Sequence, residues 1–505
     1  MRVSEVKRNL IANFIGIGWS GFLIVALVPV YVHVLGVEAY GLVGFLLSLQ
    51  ALTAVLDFGL ATTVNRELAR LTAAEVPARH ARSVVRTAEL LYWSIAAVIG
   101  VVLFAAAPIL ATRWFTPHDL SPSTISTALR FMAVATALRF PYAVYSAGLY
   151  GLQRHTVVNV VLCAAATIRA AGTIALLTLI ARDVRLLFAW EMIAAAIMTG
   201  SAAAALHRVM PGHRADARLD RNALLEARAF IFGVGAIGIL AALTTQVDKL
   251  TVSKLLPLST FGYYTIATTL AATVAAIVAP VFLTAFPLFS QLVARGDERK
   301  LAAGYHRAAQ TLAVVLLPVV SILFFFGRDI VALWTGNAVV ADQTRWLIVL
   351  LVIGASLNAL MAVPYALQLA HAWTTPALLV NGIGVVVLIP AMVIATEKFG
   401  AVGAASCWLA FHLTSFVIGT IMTHHRLLRG HRTHWLWRSV ILPAMIALGV
   451  CAAGRLFVSG GSKAVVLSWI LVTGATAMLA TGLSTPVVRE WIAEQSQRKE
   501  SVSGG

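Results

Sequence analysis

The chain has 505 residues, of which 60% are hydrophobic and only 12% charged. A water-soluble domain carries about 25% charged residues, so most of this protein's surface must face something other than water, and three soluble domains, the reading that length alone would suggest, are excluded. The formal net charge of +17 says nothing about partners until the basic residues are placed relative to the apolar runs.

Fourteen apolar runs predict transmembrane helices over 10–32, 40–63, 87–111, 125–150, 157–180, 187–206, 229–252, 260–288, 311–334, 345–369, 377–396, 403–424, 439–457 and 464–483. The first run comes directly after residues 1–8 and has no small-residue cleavage site near its end, which predicts a retained helix rather than a signal peptide. The gaps carry Gly, Pro, Asp and Asn, as turns should. The longest outer gap, about 112–124, is too short for a domain. Inner loops are expected near 64–86, 207–228 and 290–310, and 495–505 reads as a polar, disordered tail. Cys163, Cys407 and Cys451 all lie in apolar runs and read as small buried hydrophobes.

Of the 38 Lys and Arg, 25 fall in one set of loops and the termini, 6 fall in the alternate loops, and the rest lie inside the spans. This bias places both termini in the cytoplasm and supports an even helix count, fourteen, or twelve if the last pair does not span. It also accounts for the net charge without nucleic acid. With no extramembrane domain, function must sit among the helices.

The chain repeats itself. Leu35 to Gly41 matches Leu256 to Gly262, Trp114 matches Trp334, Pro141-Tyr142-Ala143 matches Pro364-Tyr365-Ala366, and Asn159 matches Asn381, at offsets of 220–223. An offset of six helices keeps both copies in one orientation, as in transporters built from parallel repeats. The expected fold is therefore all-α and polytopic. It has an N-terminal lobe (1–206), a cytoplasmic linker (207–228), a C-terminal lobe (229–424), two further transmembrane helices (439–483) and a cytoplasmic tail (484–505).

The segment Leu35 to Leu42, with Leu56-Asp57-Phe58-Gly59-Leu60 and Asn65-Arg66-Glu67-Leu68-Ala69-Arg70, resembles the opening of the polysaccharide biosynthesis transporters, which include the O-antigen flippases of the multidrug/oligosaccharidyl-lipid/polysaccharide superfamily. Gln246 to Leu250 and Phe261-Gly262-Tyr263-Tyr264 resemble the start of that family's second lobe. The likeness covers about residues 1–430 in layout. It implies two six-helix lobes in a V, membrane lipid and a polyprenyl-diphosphate-linked oligosaccharide as partners, and work alongside a polysaccharide polymerase or glycosyltransferases. It also implies a bacterial inner (cytoplasmic) membrane location and coupling to H+ or Na+, with no bound cofactor. The chain has no Walker A loop, which agrees with a secondary transporter.

Ionisable residues inside spans are costly and mark cavities or partners. Arg130 and Arg139 on helix 4 and Arg169 on helix 5 are candidates for holding the diphosphate, because a guanidinium stays charged and bonds phosphate oxygens bidentately. Residues 130 and 139, nine apart, fall on opposite sides of an ideal helix; the alternative for any of them is an acidic partner or an interfacial position. Asp57, Asp248 and Glu191 are candidates for coupling or gating, with capping of the bend at Gly59 or pairing with Arg66 as the plain alternative for Asp57. Tyr142, Tyr145, Asn159, Gln246 and Asn381 are candidates for sugar contacts. Arg328, Asp329 and Arg345 read as interfacial ion pairing. His424, His425, His431 and His434 read as part of a solvated basic loop rather than a metal site.

The expected function is translocation of the lipid-linked repeat unit of O-antigen or exopolysaccharide to the periplasmic leaflet. A drug/cation antiporter of the same superfamily would want an acidic cavity, which three first-lobe Arg oppose. A peptidoglycan-precursor (lipid II) flippase stays open. A membrane polymerase or ligase would need a larger outer loop with catalytic groups than about 13 residues supply, so an enzyme is not expected.

Overall fold

The computed structural model describes residues 3–72, 77–211, 242–457 and 462–489. The remainder of the expected linker, the expected start of the C-terminal lobe at 229 and the end of the expected tail lie outside the described residues. The chain divides into two compact units, Met1–Gly262 and Tyr263–Gly505. The helix at 242–255, expected at the start of the C-terminal lobe, thus belongs with the first unit.

The first unit holds α1 (Val3–Ala54), α2 (Leu60–Thr72), α3 (Ala78–Arg113), α4 (Pro122–Arg139), α5 (Tyr142–Gly151), α6 (His155–Ala175), α7 (Val184–Val209) and α8 (242–255). Helix α9 (Leu258–Arg295) runs across the division. The second unit continues with α10 (Glu298–Thr335), α11 (Ala338–Leu360), α12 (Ala362–Ala370), α13 (Thr375–Arg426), α14 (Arg432–Leu436), α15 (Leu442–Leu456) and α16 (Lys463–Ser484). Among the described residues, ten helices are long and apolar enough to cross a membrane. Two of them are bent double-length helices: α1 breaks at Gly36 (φ 85°) and α13 at Gly400 (φ 63°). Only glycine enters that left-handed region without strain, so each gap expected between two spans shrinks to about one residue. Counting both legs of α1 and α13 and the α4–α5 pair accounts for thirteen of the fourteen expected spans; of the other, 229–252, only the part from 242 lies among the described residues, in α8. This is a multi-pass all-α membrane protein, and α15 and α16, which pack on α10, are both among the ten.

Three expected loops are shorter than the sequence suggests. The second leg of α1 ends near Ala54, and Leu60–Thr72 forms the separate helix α2. The boundary is built by Phe58 and Gly59 in left-handed conformation, after which the Asp57 carboxylate accepts from Gly59 N (3.2 Å) and Ala61 N (3.1 Å). That satisfies donors at a helix start that nothing else reaches. The inner loop expected at 290–310 is a turn at Gly296 and Asp297, with Asp297 capping α10 through Lys300 N (3.1 Å). The histidine segment is not a solvated loop throughout. His424 is buried, hydrogen bonded to Tyr305 (3.2 Å), and His306 meets His431 (3.0 Å). No metal-binding group is found among the described residues.

The repeat is visible in the backbone of each unit. Pro141, which has no N–H to continue the helix, separates α4 from α5, and the break between α11 and α12 falls at Met361. Gln153 (φ 58°) and Ala372 (φ 51°), 219 apart, are two of three non-glycine residues described with positive φ, and each ends the short helix that comes after the break. Asn159 and Asn381 each donate to the carbonyl four residues back, at His155 and Ala377 (both 2.8 Å).

Within the first unit the matching segments 35–41 and 256–262 touch each other. A Cβ on Gly41 would stand 2.7 Å from Leu258 O, and one on Gly262 would stand 2.1 Å from Val37 O. Val37 and Leu258 are themselves repeat equivalents, so the crossing is self-complementary. Beside it, the Glu38 carboxylate accepts from the backbone N–H groups of His118, Asp119 and Leu120 at 3.0–3.2 Å, and Leu258 N donates to Thr116 O (3.1 Å).

Candidate functional site

Arg139 closes α4, 17 residues after it begins at Pro122, and α5 continues to Gly151. At 1.5 Å per residue the guanidinium carrier is about 26 Å along this paired helix, well inside the apolar span. Arg169 is equally central in the run His155–Ile180. Each is a cation in the most expensive part of the protein.

Their partners differ. Arg169 Nη1 donates to Glu191 Oε1 on α7 at 3.2 Å, with the two side chains 21% and 11% exposed. Its backbone is held as well: Trp190 Nε1 donates to Arg169 O (2.9 Å), and the Trp190 ring lies so close to Gly172 that no Cβ would fit there. Arg139 has no carboxylate. Among the described residues its side chain finds only the thioether of Met198, with Nη1–Sδ at 3.6 Å, a weak acceptor. It stands within range of the charges of Arg169 and Glu191 and near Tyr142, while buried Tyr31 (4% exposed) sits beside Arg169 and Glu191. Helices α1, α4, α5, α6 and α7 thus converge on two guanidiniums and one carboxylate, a net positive charge of one. An isolated buried charge is far more costly than a paired one, so this arrangement is under-neutralised.

The other residues singled out in the sequence sit elsewhere. Arg130 is exposed, over the Phe104 ring at 5.3 Å, and does not join Arg139. Asp57 caps α2, and Arg66 pairs with Glu67 (3.3 Å) instead. Asp248 is buried on α8, with Lys249 Nζ at 3.7 Å from its Oδ1. Tyr145 accepts from Trp93 Nε1 (3.2 Å), and Asn159 donates to Asn13 Oδ1 (2.6 Å) in the seam between α1 and α6. Gln246 and Asn381 are partly exposed on α8 and α13. Arg328 pairs with Asp342 (2.6 Å) and Asp329 with Arg455, while Arg345 lies over Trp346. Sequence reasoning passed over Tyr31 and the buried Glu89–His207 pair (2.7 Å). For Glu89, a carboxylate inside an expected span was the signal.

The repeat offers an internal control. At an offset of 222, Arg139, Arg169 and Glu191 correspond to Met361, Ala391 and Leu413. The register is confirmed by contact: Arg139–Met198 and Met361–Thr420 are equivalent pairs, each bridging donor to sulfur at 3.6 Å. The second copy builds the same helix pairing with no charge at any of the three positions.

The polysaccharide biosynthesis protein family matches residues 31–341, more than half of the chain. The chain belongs to this family. Among solved structures, this polysaccharide biosynthesis protein is similar to the lipid II flippase MurJ in an inward closed conformation, with a TM-score of 0.72, 12% identity, 94% of this chain and 97% of that chain covered. It is also similar to an inward-facing multidrug resistance MATE family transporter of the MOP superfamily, with a TM-score of 0.65, 13% identity, and 85% and 96% covered. At such identities the likeness shows a shared fold. No curated protein matches.

Proposed function

We propose that this polysaccharide biosynthesis protein is a flippase. It carries a polyprenyl-diphosphate-linked oligosaccharide, an O-antigen or exopolysaccharide repeat unit, from the cytoplasmic to the periplasmic leaflet of a bacterial inner membrane by alternating access. It is a transporter rather than an enzyme, has both termini in the cytoplasm, and works beside the glycosyltransferases and polymerase of the pathway. The observation that carries this reading is the Arg139–Arg169–Glu191 cluster. It spends buried charge in one copy of the repeat where the other copy uses Met361, Ala391 and Leu413, so the scaffold does not require it, and its excess is positive. Two planar guanidiniums suit a diphosphate and would repel a cationic drug. A peptidoglycan precursor carries the same diphosphate and is distinguished only by its sugars.

The test is transport in proteoliposomes of defined polyprenyl-diphosphate sugars, lipid II among them, by the wild type and by Arg139→Ala and Arg169→Ala. Loss of transport in both variants, with normal insertion, is expected. Full activity with both arginines replaced ends the assignment of the site.

A further inference from the structure

We propose that the second unit carries a sugar-binding surface: the stacked rings of Phe286, Phe282 and Tyr365, together with the amide of Asn358, receive a pyranose ring of the lipid-linked cargo. This rests on the reading of the cargo as a diphosphate-linked oligosaccharide, and adds to it the residues that recognise the sugar.

Tyr145 and Asn159, expected as sugar contacts, are buried and already engaged with Trp93 and Asn13. The second unit offers a different surface. Phe282 stacks on Phe286, one turn further along α9, with ring centroids 6.1 Å apart and planes at 10°. Tyr365 of α12 stacks on Phe282 at 6.2 Å and 23°. The three rings form a nearly parallel ladder that ends on Tyr365, which is 38% exposed. Asn358, seven residues earlier, is exposed as well. Among the described residues neither the Tyr365 hydroxyl nor the Asn358 amide has a hydrogen-bond partner. Tyr365 N donates to Met361 O at 2.9 Å, so Tyr365 lies one turn beyond the residue that stands for Arg139, on the same face.

The repeat again separates use from need. At the offset of 221 that relates 35–41 to 256–262, Phe282 and Phe286 correspond to Ala61 and Asn65. At 222, Asn358 corresponds to Thr136, which is buried. The first copy therefore builds its helices without the ladder and without an exposed amide. The two copies differ in complementary ways, with buried charge in the first and aromatic and neutral polar groups in the second.

That combination fits a sugar. A pyranose has a face of C–H groups and a rim of hydroxyls. The C–H face leaves water when it covers an aromatic ring. The hydroxyls need groups that both donate and accept, as a phenol and a carboxamide do. An interfacial tyrosine set among lipid headgroups accounts for Tyr365 alone. It accounts neither for the ladder nor for an amide near the middle of the expected span 345–369, where lipid would leave it unpaired at a cost.

The experiment is calorimetric titration of the full-length protein in nanodiscs with two short-chain polyprenyl diphosphate diesters of equal charge, one bearing N-acetylglucosamine and one bearing a methyl group. The ratio of the two affinities is read, because a general packing defect weakens both alike and leaves it unmoved. The wild type should bind the sugar diester about tenfold more tightly. Phe282→Leu/Tyr365→Leu should bind both alike, and Tyr365→Phe, which keeps the ring and loses the hydroxyl, should retain a preference of about threefold. Arg139→Ala/Arg169→Ala should weaken both diesters and keep the preference. Equal binding of the two diesters by the wild type, or an unchanged preference in Phe282→Leu/Tyr365→Leu, overturns the sugar surface and leaves the diphosphate site standing. Undiminished binding of both diesters by Arg139→Ala/Arg169→Ala, or no binding of either by the wild type, removes the diphosphate site itself. The wild-type ratio decides even where the double leucine variant fails to insert.

Discussion

Replacing Arg139 by methionine should leave the protein at least as stable as the wild type while abolishing transport. The second copy of the repeat has made this substitution: Met361 meets Thr420 where Arg139 meets Met198, at the same 3.6 Å. A long unbranched side chain therefore satisfies the packing, and the guanidinium adds only charge. A charged residue at the centre of a spanning helix costs about 2.5–3.5 kcal/mol on insertion scales. Here Glu191 is shared with Arg169 and offsets part of that cost, so a gain of about 1–2 kcal/mol is expected. The assay pairs thermal unfolding in nanodiscs with complementation of a flippase-null strain. Unfolding should move upward by a few degrees, and complementation should fail at normal membrane abundance. Normal complementation would refute the functional part. A marked loss of stability would refute the claim that the charge is dispensable for the fold.

Arg169→Ala differs in sign, since it strands Glu191; breaking such a pair costs about 3–5 kcal/mol, and Arg169→Ala/Glu191→Gln should recover most of the stability in thermal unfolding without recovering transport. Gly262→Ala drives a Cβ to 2.1 Å from Val37 O, a backbone atom that cannot rotate away, whereas the nearest side-chain atom to a Cβ on Gly304 is at 3.7 Å. The first should destabilise by about 1–3 kcal/mol and the second should be tolerated, and equal unfolding temperatures would contradict the crossing. Asp57→Ala should cost about 0.5–2 kcal/mol as a lost cap and Asp57→Ser much less; loss of transport in a stable Asp57→Ser protein would instead make Asp57 a coupling group.

Most of the fold could be read from residue order because the bilayer imposes it. Apolar runs of sufficient length can only be helices there, and the asymmetry of Lys and Arg led to the expectation of an even number. The repeat, read from four short matches, reappears in the backbone at Met361, Ala372 and Asn381. What escaped were the breaks. A glycine at 36 or 400 is one of 36 in the chain, and its left-handed φ depends on the neighbouring helices it has to join. The same limit explains the site. Arg130 and Arg139 point apart as nine residues of ideal helix require, because the break at Pro141 comes after both. Arg169 and Glu191 are 22 residues apart, and between them lies the π turn Leu176–Ile180. After it the chain leaves the helix at Ala181 and starts the separate helix α7 at Val184. Which faces of two successive helices meet is set by their packing and not by residue count, so the ion pair could be proposed only as one alternative among several. Arg139 is the reverse case. Its lack of a carboxylate is set by its surroundings in three dimensions, and the repeat then shows that this lack is not a packing necessity. A cation kept where the second copy packs a methionine is the charge that the proposed diphosphate would meet.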